Sequence, residues 1–374
     1  MNAVLRQFAG FYSKAIARWE VQRGELLSVQ RLRGFAVLMV LVYHAEDIAR
    51  KLPALADFHS TYALRFGYSA PDMFFVISGF IMTYVTVNSR FQPKRWLLGR
   101  FFRIVPMYFL FTCLVMLLWL YNPQMTMGSG SHDWASVIQS LLMLPQADLP
   151  LLFIGWTLEH ELVFYTIVFL VACFLKMDAL FWVMLALSVL ALGKWTLIHY
   201  TGIELWDYHL FSLYIIQFTL GVWVFRIRER ASSWGVMLPA VVGCALLMIG
   251  GMFAESGLIN HEQPVRVLAF GGAYAAFLLA GLNWELKNRS AGIVPQRRDA
   301  MVLIGDASYA IYLTHPFVLA SYGKLFLMVS VSPLASVGLA VLAGISTIVV
   351  GYAVHVLLEK PVIEIGKRLT RAFA

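Results

Sequence analysis

The sequence predicts an all-α fold: a polytopic transmembrane helix bundle of about ten spans with both termini cytoplasmic. Three observations predict it. Of the 374 residues, 60% are hydrophobic and only 13% charged, whereas soluble domains are roughly a quarter charged and less than half apolar. The apolar residues gather into windows close to the ~20 residues that cross a hydrocarbon core. The basic residues then sort to one side. With the N-terminus inside, about 23 of the 29 Lys and Arg fall in inner segments, as the positive-inside rule requires.

Residues 1–28 lead into a single membrane domain, 29–374. Val4, Phe8, Phe11, Tyr12, Ala15, Ile16 and Trp19 recur at helical spacing, with Arg6, Lys14 and Arg18 off the stripe. An amphipathic helix lying on the inner leaflet has this pattern, and so does a soluble helix docked on the bundle. Hydrophobic windows follow near 34–50, 71–88, 104–121, 151–173, 179–198, 210–225, 236–254, 266–283, 301–321 and 334–358. The inner loops between them hold Arg90, Lys94, Arg95, Arg100 and Arg103, then Arg226, Arg228 and Arg230, then Lys287, Arg289, Arg297 and Arg298. The long loop 122–150 holds no Lys or Arg, as an outer loop should. A missed span would invert part of this asymmetry, so an even number is favoured. No small-residue cleavage pattern accompanies the first apolar run, so no cleaved signal peptide is expected. Neither an internal repeat nor a second soluble domain is expected.

The formal charge of +8 does not point to nucleic acid, because the aromatic residues lie inside apolar runs rather than among basic ones. Cys113, Cys173 and Cys244 sit in apolar stretches without paired spacing. They read as small hydrophobes, and neither a disulfide framework nor a metal site is expected.

Four polar sets interrupt the apolar windows. Arg33 opens the first window and His44 lies near its far end. Eleven residues separate them, about 16 Å of helix and close to three turns, so they share a face. Ionisable groups in a bilayer are costly and mark functional sites. Taken singly, Arg33 also fits an anchor at the inner surface and His44 an interface residue. In the second set, Arg100 and Arg103 are helical neighbours, and paired guanidiniums suit phosphate recognition; topology or anionic headgroups would use the same residues. The third set, Trp156-Thr157-Leu158-Glu159-His160-Glu161, places two carboxylates and an imidazole near a span start with few cations nearby. Glu159 and Glu161 diverge by about 200° and form no dyad, but a carboxylate here could orient a histidine or act as a base. In the fourth, Asp306 is a candidate helix cap, and Tyr309, Tyr312 and Thr314 are candidate helix-packing polar groups. His315 precedes Pro316 at mid-span, where freed backbone groups can line a cavity.

Together these sets resemble the bacterial acyltransferase-3 family of integral membrane acyltransferases, in order along nearly the whole chain. The segments that carry the resemblance are Gln30-Arg31-Leu32-Arg33-Gly34-Phe35 through His44; Asp72-Met73-Phe74-Phe75-Val76-Ile77-Ser78-Gly79; Arg100-Phe101-Phe102-Arg103 through Pro106 and Tyr108; Trp156 through Glu161 to Phe164-Tyr165; Gly305-Asp306 through His315-Pro316; and Leu358-Glu359-Lys360-Pro361. Two departures stand out. Ala70-Pro71 replaces a frequent Gly-Val, and Glu159 and His160 match no motif position, which leaves their roles open.

The resemblance implies a bacterial inner-membrane O-acyltransferase. Its co-substrate would be cytoplasmic acyl-CoA, most simply acetyl-CoA, and its acceptor a hydroxyl on a surface or periplasmic glycan or a lipid-linked saccharide. The lipid bilayer is the other expected partner. Arg33, Arg100 and Arg103 would hold the donor's phosphates at the inner face. His44 would act as general base, with Glu161 orienting it; an acyl-histidine intermediate is the alternative. His315 would line the same cavity. A transporter or flippase for a lipid-linked sugar is a rival reading, although no paired broken helices mark the two halves. So is a non-catalytic partner of a polysaccharide synthase, which leaves the ionisable residues inside the spans without a purpose.

Overall fold

The computed structural model describes residues 26–57, 66–87, 91–123, 130–203, 205–255, 262–291 and 299–371. The stripe expected over 1–28 and the basic residues Arg90, Arg297 and Arg298 therefore lie outside the described residues, except that 26–28 open the first helix. Regular structure among the described residues is helical throughout. The helices are α1 (Leu27–Ala49), α2 (Ala70–Val87), α3 (Pro93–Tyr121), α4 (Trp134–Leu141), α5 (Trp156–Phe174), α6 (Ala179–Thr201), α7 (Ile215–Ala231), α8 (Met237–Glu255), α9 (Pro264–Ser290), α10 (Ala300–Asp306), α11 (Ser308–Phe326), α12 (Pro333–Val354) and α13 (Lys360–Arg371).

Each of the ten hydrophobic windows overlaps a helix, but helices and spans do not correspond one to one. Six helical segments are long and apolar enough to cross a membrane, or up to eight if each of two bent pairs counts as one span. The bent pairs are α7 with α8, at 120°, and α10 with α11, at 78°. α1 is not among these segments; its 23 residues include Arg31, Arg33, Glu46 and Asp47. The sequence windows count α7 and α8 separately and ignore the charges of α1, which is how they reach ten.

α1 lies at the centre of the bundle, against α2, α9, α10, α11 and α12. Its first turn has no side-chain cap of its own, so its orphan amides need a partner from elsewhere. Glu285 of α9 supplies it. The Leu27 and Ser28 amides donate to Glu285 at 3.3 and 2.9 Å, and the Ser28 hydroxyl at 2.6 Å. A carboxylate there also favours the positive end of the helix dipole.

Two glycine crossings bring helices to backbone contact. A Cβ on Gly34 would stand 2.4 Å from the Met301 carbonyl oxygen, and one on Gly305 only 1.9 Å from that of Gln30. α1 and α10 therefore touch through bare backbone, the close approach that small residues permit between membrane helices. Gly79 and Gly221 do the same for α2 and α7, where added Cβ atoms would meet the Phe218 and Val76 oxygens at 2.2 and 2.0 Å. Gly305→Val should drive α10 away from α1, at a cost of roughly 1–3 kcal/mol for overpacking. Thermal unfolding of detergent-purified protein would register the loss, and an unchanged midpoint would contradict the crossing.

Candidate active site

A cavity of about 320 Å³ opens among α1, α2, α3, α5 and α11. Arg33, Arg100 and Arg103 all line it, together with Ser78, Glu161, Tyr165, Tyr309 and Tyr312. The remaining walls are mainly apolar, including Phe74, Phe75, Ile81 and Leu158. Arg33 of α1 and the neighbouring Arg100 and Arg103 of α3 thus converge on one space, as multivalent anion binding requires. Arg33 is steadied by Gln30 one turn earlier, at 3.4 Å. Arg103 forms an ion pair at 3.1 Å with Glu359, whose side chain is fully buried. Glu359 closes a π-helical turn, His355–Glu359, and its second oxygen meets His355 Nδ1 at 2.6 Å. Single π-turns are frequent at functional sites. This turn lies between α12 and α13 and sets the carboxylate against α3.

Glu161 accepts hydrogen bonds from the Ser78 hydroxyl at 2.6 Å and the Tyr165 hydroxyl at 2.5 Å. The expected orientation of His44 by Glu161 is not seen: no hydrogen bond joins the two among the described residues. The carboxylate instead lines the cavity together with the three arginines and Tyr312.

His44 faces the bundle. Its ring stacks on His315 with centroids 5.1 Å apart at 30°, and packs edge-on against Phe153 at 5.7 Å. His315 is 1% exposed. Its Nδ1 lies 2.6 Å from the Tyr312 carbonyl, and because a carbonyl only accepts, Nδ1 carries the proton. Nε2 is then a lone-pair acceptor, and it is buried without a hydrogen-bond partner among the described residues. Tyr312 links the two regions. It lines the cavity, its ring centroid is 5.6 Å from that of His315, and its hydroxyl is held by Thr157 at 3.0 Å and by the Ile154 carbonyl at 3.1 Å. The expected residues thus fall in two groups: Arg33, Arg100, Arg103 and Glu161 line the cavity, whereas His44 and His315 are not among its lining residues and adjoin it through Tyr312, so the expectation that His315 lines the same cavity is not met.

Asp72, Arg266 and Gln217 form a polar group that no spacing in the sequence announces. Asp72 is fully buried, and its Oδ2 accepts from Arg266 at 3.0 Å. Gln217 donates to the other oxygen, and Arg266 also donates to the Tyr68 carbonyl at 3.2 Å. The group ties α2, α7 and α9 together near the histidine end. A carboxylate at the start of an apolar window and a lone arginine in an outer segment were the available signals, but nothing in their spacing pairs residues 194 positions apart. Glu359 was passed over in the same way, as part of a terminal motif.

A helical bundle with six to eight apolar spans, holding a mainly apolar cavity lined by three arginines and a glutamate, defines a multi-pass membrane protein with an enzyme-like interior. The chain belongs to the acyltransferase-3 family: a family model described as an acyltransferase domain matches residues 26–356. It is an acyltransferase. It is similar to the exopolysaccharide production protein ExoZ of Rhizobium meliloti (strain 1021), 30% identical over 330 residues that cover 82% of this chain and 94% of that protein. No solved structure matches it.

Proposed function

We propose that this protein transfers an acetyl group from cytoplasmic acetyl-CoA to a hydroxyl of an exopolysaccharide, or of its lipid-linked precursor, at the bacterial inner membrane. The observation that carries this reading is a cavity lined by Arg33, Arg100, Arg103, Glu161 and Tyr312, with the stacked His44–His315 pair packed behind Tyr312. Ten spans with both termini cytoplasmic remain the layout that best accounts for the basic residues. That layout sets the arginines at the inner face and the histidines toward the outer one. The similarity to a protein of exopolysaccharide production favours a polysaccharide acceptor.

The cavity suits such a donor. Arg33, Arg100 and Arg103 offer cationic forks for its phosphates, and the mainly apolar walls suit a thin pantetheine arm. His44 takes the proton from the acceptor hydroxyl as its oxygen attacks the thioester carbon. The C–S bond then breaks and CoA leaves as a thiolate that takes the proton back from the His44 imidazolium, which restores the base. His315 stacks against the His44 ring and holds its plane. Glu161 keeps Ser78 and Tyr165 in place along the arm.

The reading is tested by incubating the full-length protein, in lipid nanodiscs, with acetyl-CoA and non-acylated polysaccharide from a deletion strain. Transfer of acetyl to the glycan, read by mass spectrometry, is the expected result. Release of CoA without glycan modification, or no reaction at all, would refute it. Within this reading, Glu359→Gln frees Arg103 from its partner. KM for acetyl-CoA should rise roughly tenfold, equivalent to ~1.4 kcal/mol of binding, with kcat changed less. A fall in kcat at constant KM would instead tie Glu359 to the chemical step.

A further inference from the structure

Glu159 and His160 belong to no family motif and face away from the arginine-lined cavity, yet both are buried. They hold one surface loop. Glu159 Oε2 meets His209 Nε2 at 3.1 Å and accepts from the Gln146 amide at 3.2 Å, while the Gln146 side chain donates to Oε1 at 3.3 Å. His160 donates from Nδ1 to the Trp156 carbonyl at 2.8 Å, and its Nε2 faces the Ser212 hydroxyl at 3.1 Å. Ser212 also lies 2.7 Å from a Glu262 oxygen, so its one hydroxyl hydrogen is shared between that carboxylate and the His160 Nε2 lone pair. The two imidazoles stack at 4.1 Å. Tyr208 and His209 take positive φ values of 54° and 63°, which bulky residues adopt only where the surroundings dictate it. Asp207 completes the frame, paired with Lys194 at 2.8 Å and accepting from the Phe211 amide at 2.8 Å.

This frame presents two rings to the surface. Trp206 is 45% exposed and Tyr208 65% exposed, with centroids 5.6 Å apart. His209 packs edge-on to Trp206 at 5.1 Å, and its Nδ1 makes no hydrogen bond to a described residue. The loop follows α6 and is tied by His209 to Glu159 in the first turn of α5, just after Phe153, which packs on His44. Adjacent exposed aromatic faces beside a fixed polar nitrogen can stack on the C–H faces of a sugar and bond its hydroxyls. Aromatic residues that merely anchor a protein at the membrane interface have no need of a buried network that locks their backbone.

We infer that the loop 205–212 is a saccharide-binding platform, in which Trp206 and Tyr208 stack on sugar rings and His209, held by Glu159 and His160, bonds a hydroxyl of the acceptor glycan. The inference rests on the proposed glycan acyltransferase activity and names where its acceptor is held. Trp206 and Tyr208 touch the sugar; Glu159 and His160 are positioning residues.

The test uses full-length protein in nanodiscs and oligosaccharides cut from the non-acylated polysaccharide of a deletion strain. Binding is measured by microscale thermophoresis and transfer by mass spectrometry. Trp206→Ala and Tyr208→Ala should each weaken oligosaccharide binding and raise its KM about tenfold. The KM for acetyl-CoA and kcat should stay within about twofold. Trp206→Phe should recover most of the affinity, and His160→Gln should weaken oligosaccharide binding without changing acetyl-CoA binding. Unchanged oligosaccharide affinity in Trp206→Ala and Tyr208→Ala would overturn the platform, as would lower membrane yield alone, which would mark the rings as interface anchors. Oligosaccharide binding that these variants abolish, without acetyl transfer by the wild type, would uphold the saccharide site and refute the acetyltransferase reading alone.

Discussion

His44→Ala is expected to lower kcat for acyl transfer by about 10²–10⁴-fold, the contribution of a positioned general base, while leaving the Kd for acetyl-CoA within about twofold. The separation follows from geometry. Arg33, Arg100 and Arg103 line the cavity, whereas His44 lies beyond Tyr312 and packs on His315. Removing the imidazole therefore touches none of the arginines that line the cavity. His44→Gln should be nearly as inactive, because an amide fills the space but accepts no proton at neutral pH. His315→Ala should cost less, since its loss frees the His44 ring without removing the base. Turnover and donor binding measured on the same purified protein decide the matter: near-wild-type turnover in His44→Ala would end the general-base role.

Asp72→Ala should destabilise the protein by about 3–5 kcal/mol, the cost of stranding one member of a buried ion pair. Arg266 is 6% exposed and would be left with the Tyr68 carbonyl and two nearby aromatic rings. The Gln217 amide would lose its acceptor as well. Removing both charges, as in Asp72→Leu with Arg266→Met, should recover much of the loss, because a buried pair replaced as a whole costs little. Denaturation of the purified single and double variants in mixed micelles would show it. A double variant no better than Asp72→Ala would mean that the pair contributes net stability beyond the penalty of a stranded charge.

Much of the fold was readable because membrane helices obey a one-dimensional rule. A bilayer excludes unsatisfied backbone, so each apolar window had to become helix, and each did. Span counting was less secure. It depends on where helices bend, and the 120° and 78° breaks at α7–α8 and α10–α11 come from how these helices pack. The polar residues of the site were also visible one by one, because ionisable groups in apolar windows stand out against their surroundings. Sequence separation does not show which of them meet. Arg103 found Glu359 across 256 positions and Glu161 found Ser78 across 83, and neither partner was chosen by spacing.

Composition and charge by themselves determined that this chain is a helical membrane protein, and its ordered motifs determined its family. Tertiary structure alone decided that His44 faces His315 rather than lipid, that Glu161 serves Ser78 and Tyr165 rather than His44, and that Glu159 and His160 frame a surface loop. The reason is physical. Hydrophobic transfer is a sum over residues along the chain, so a sequence carries it openly. A hydrogen bond or ion pair is a property of two groups within about 3 Å, and only packing brings them there.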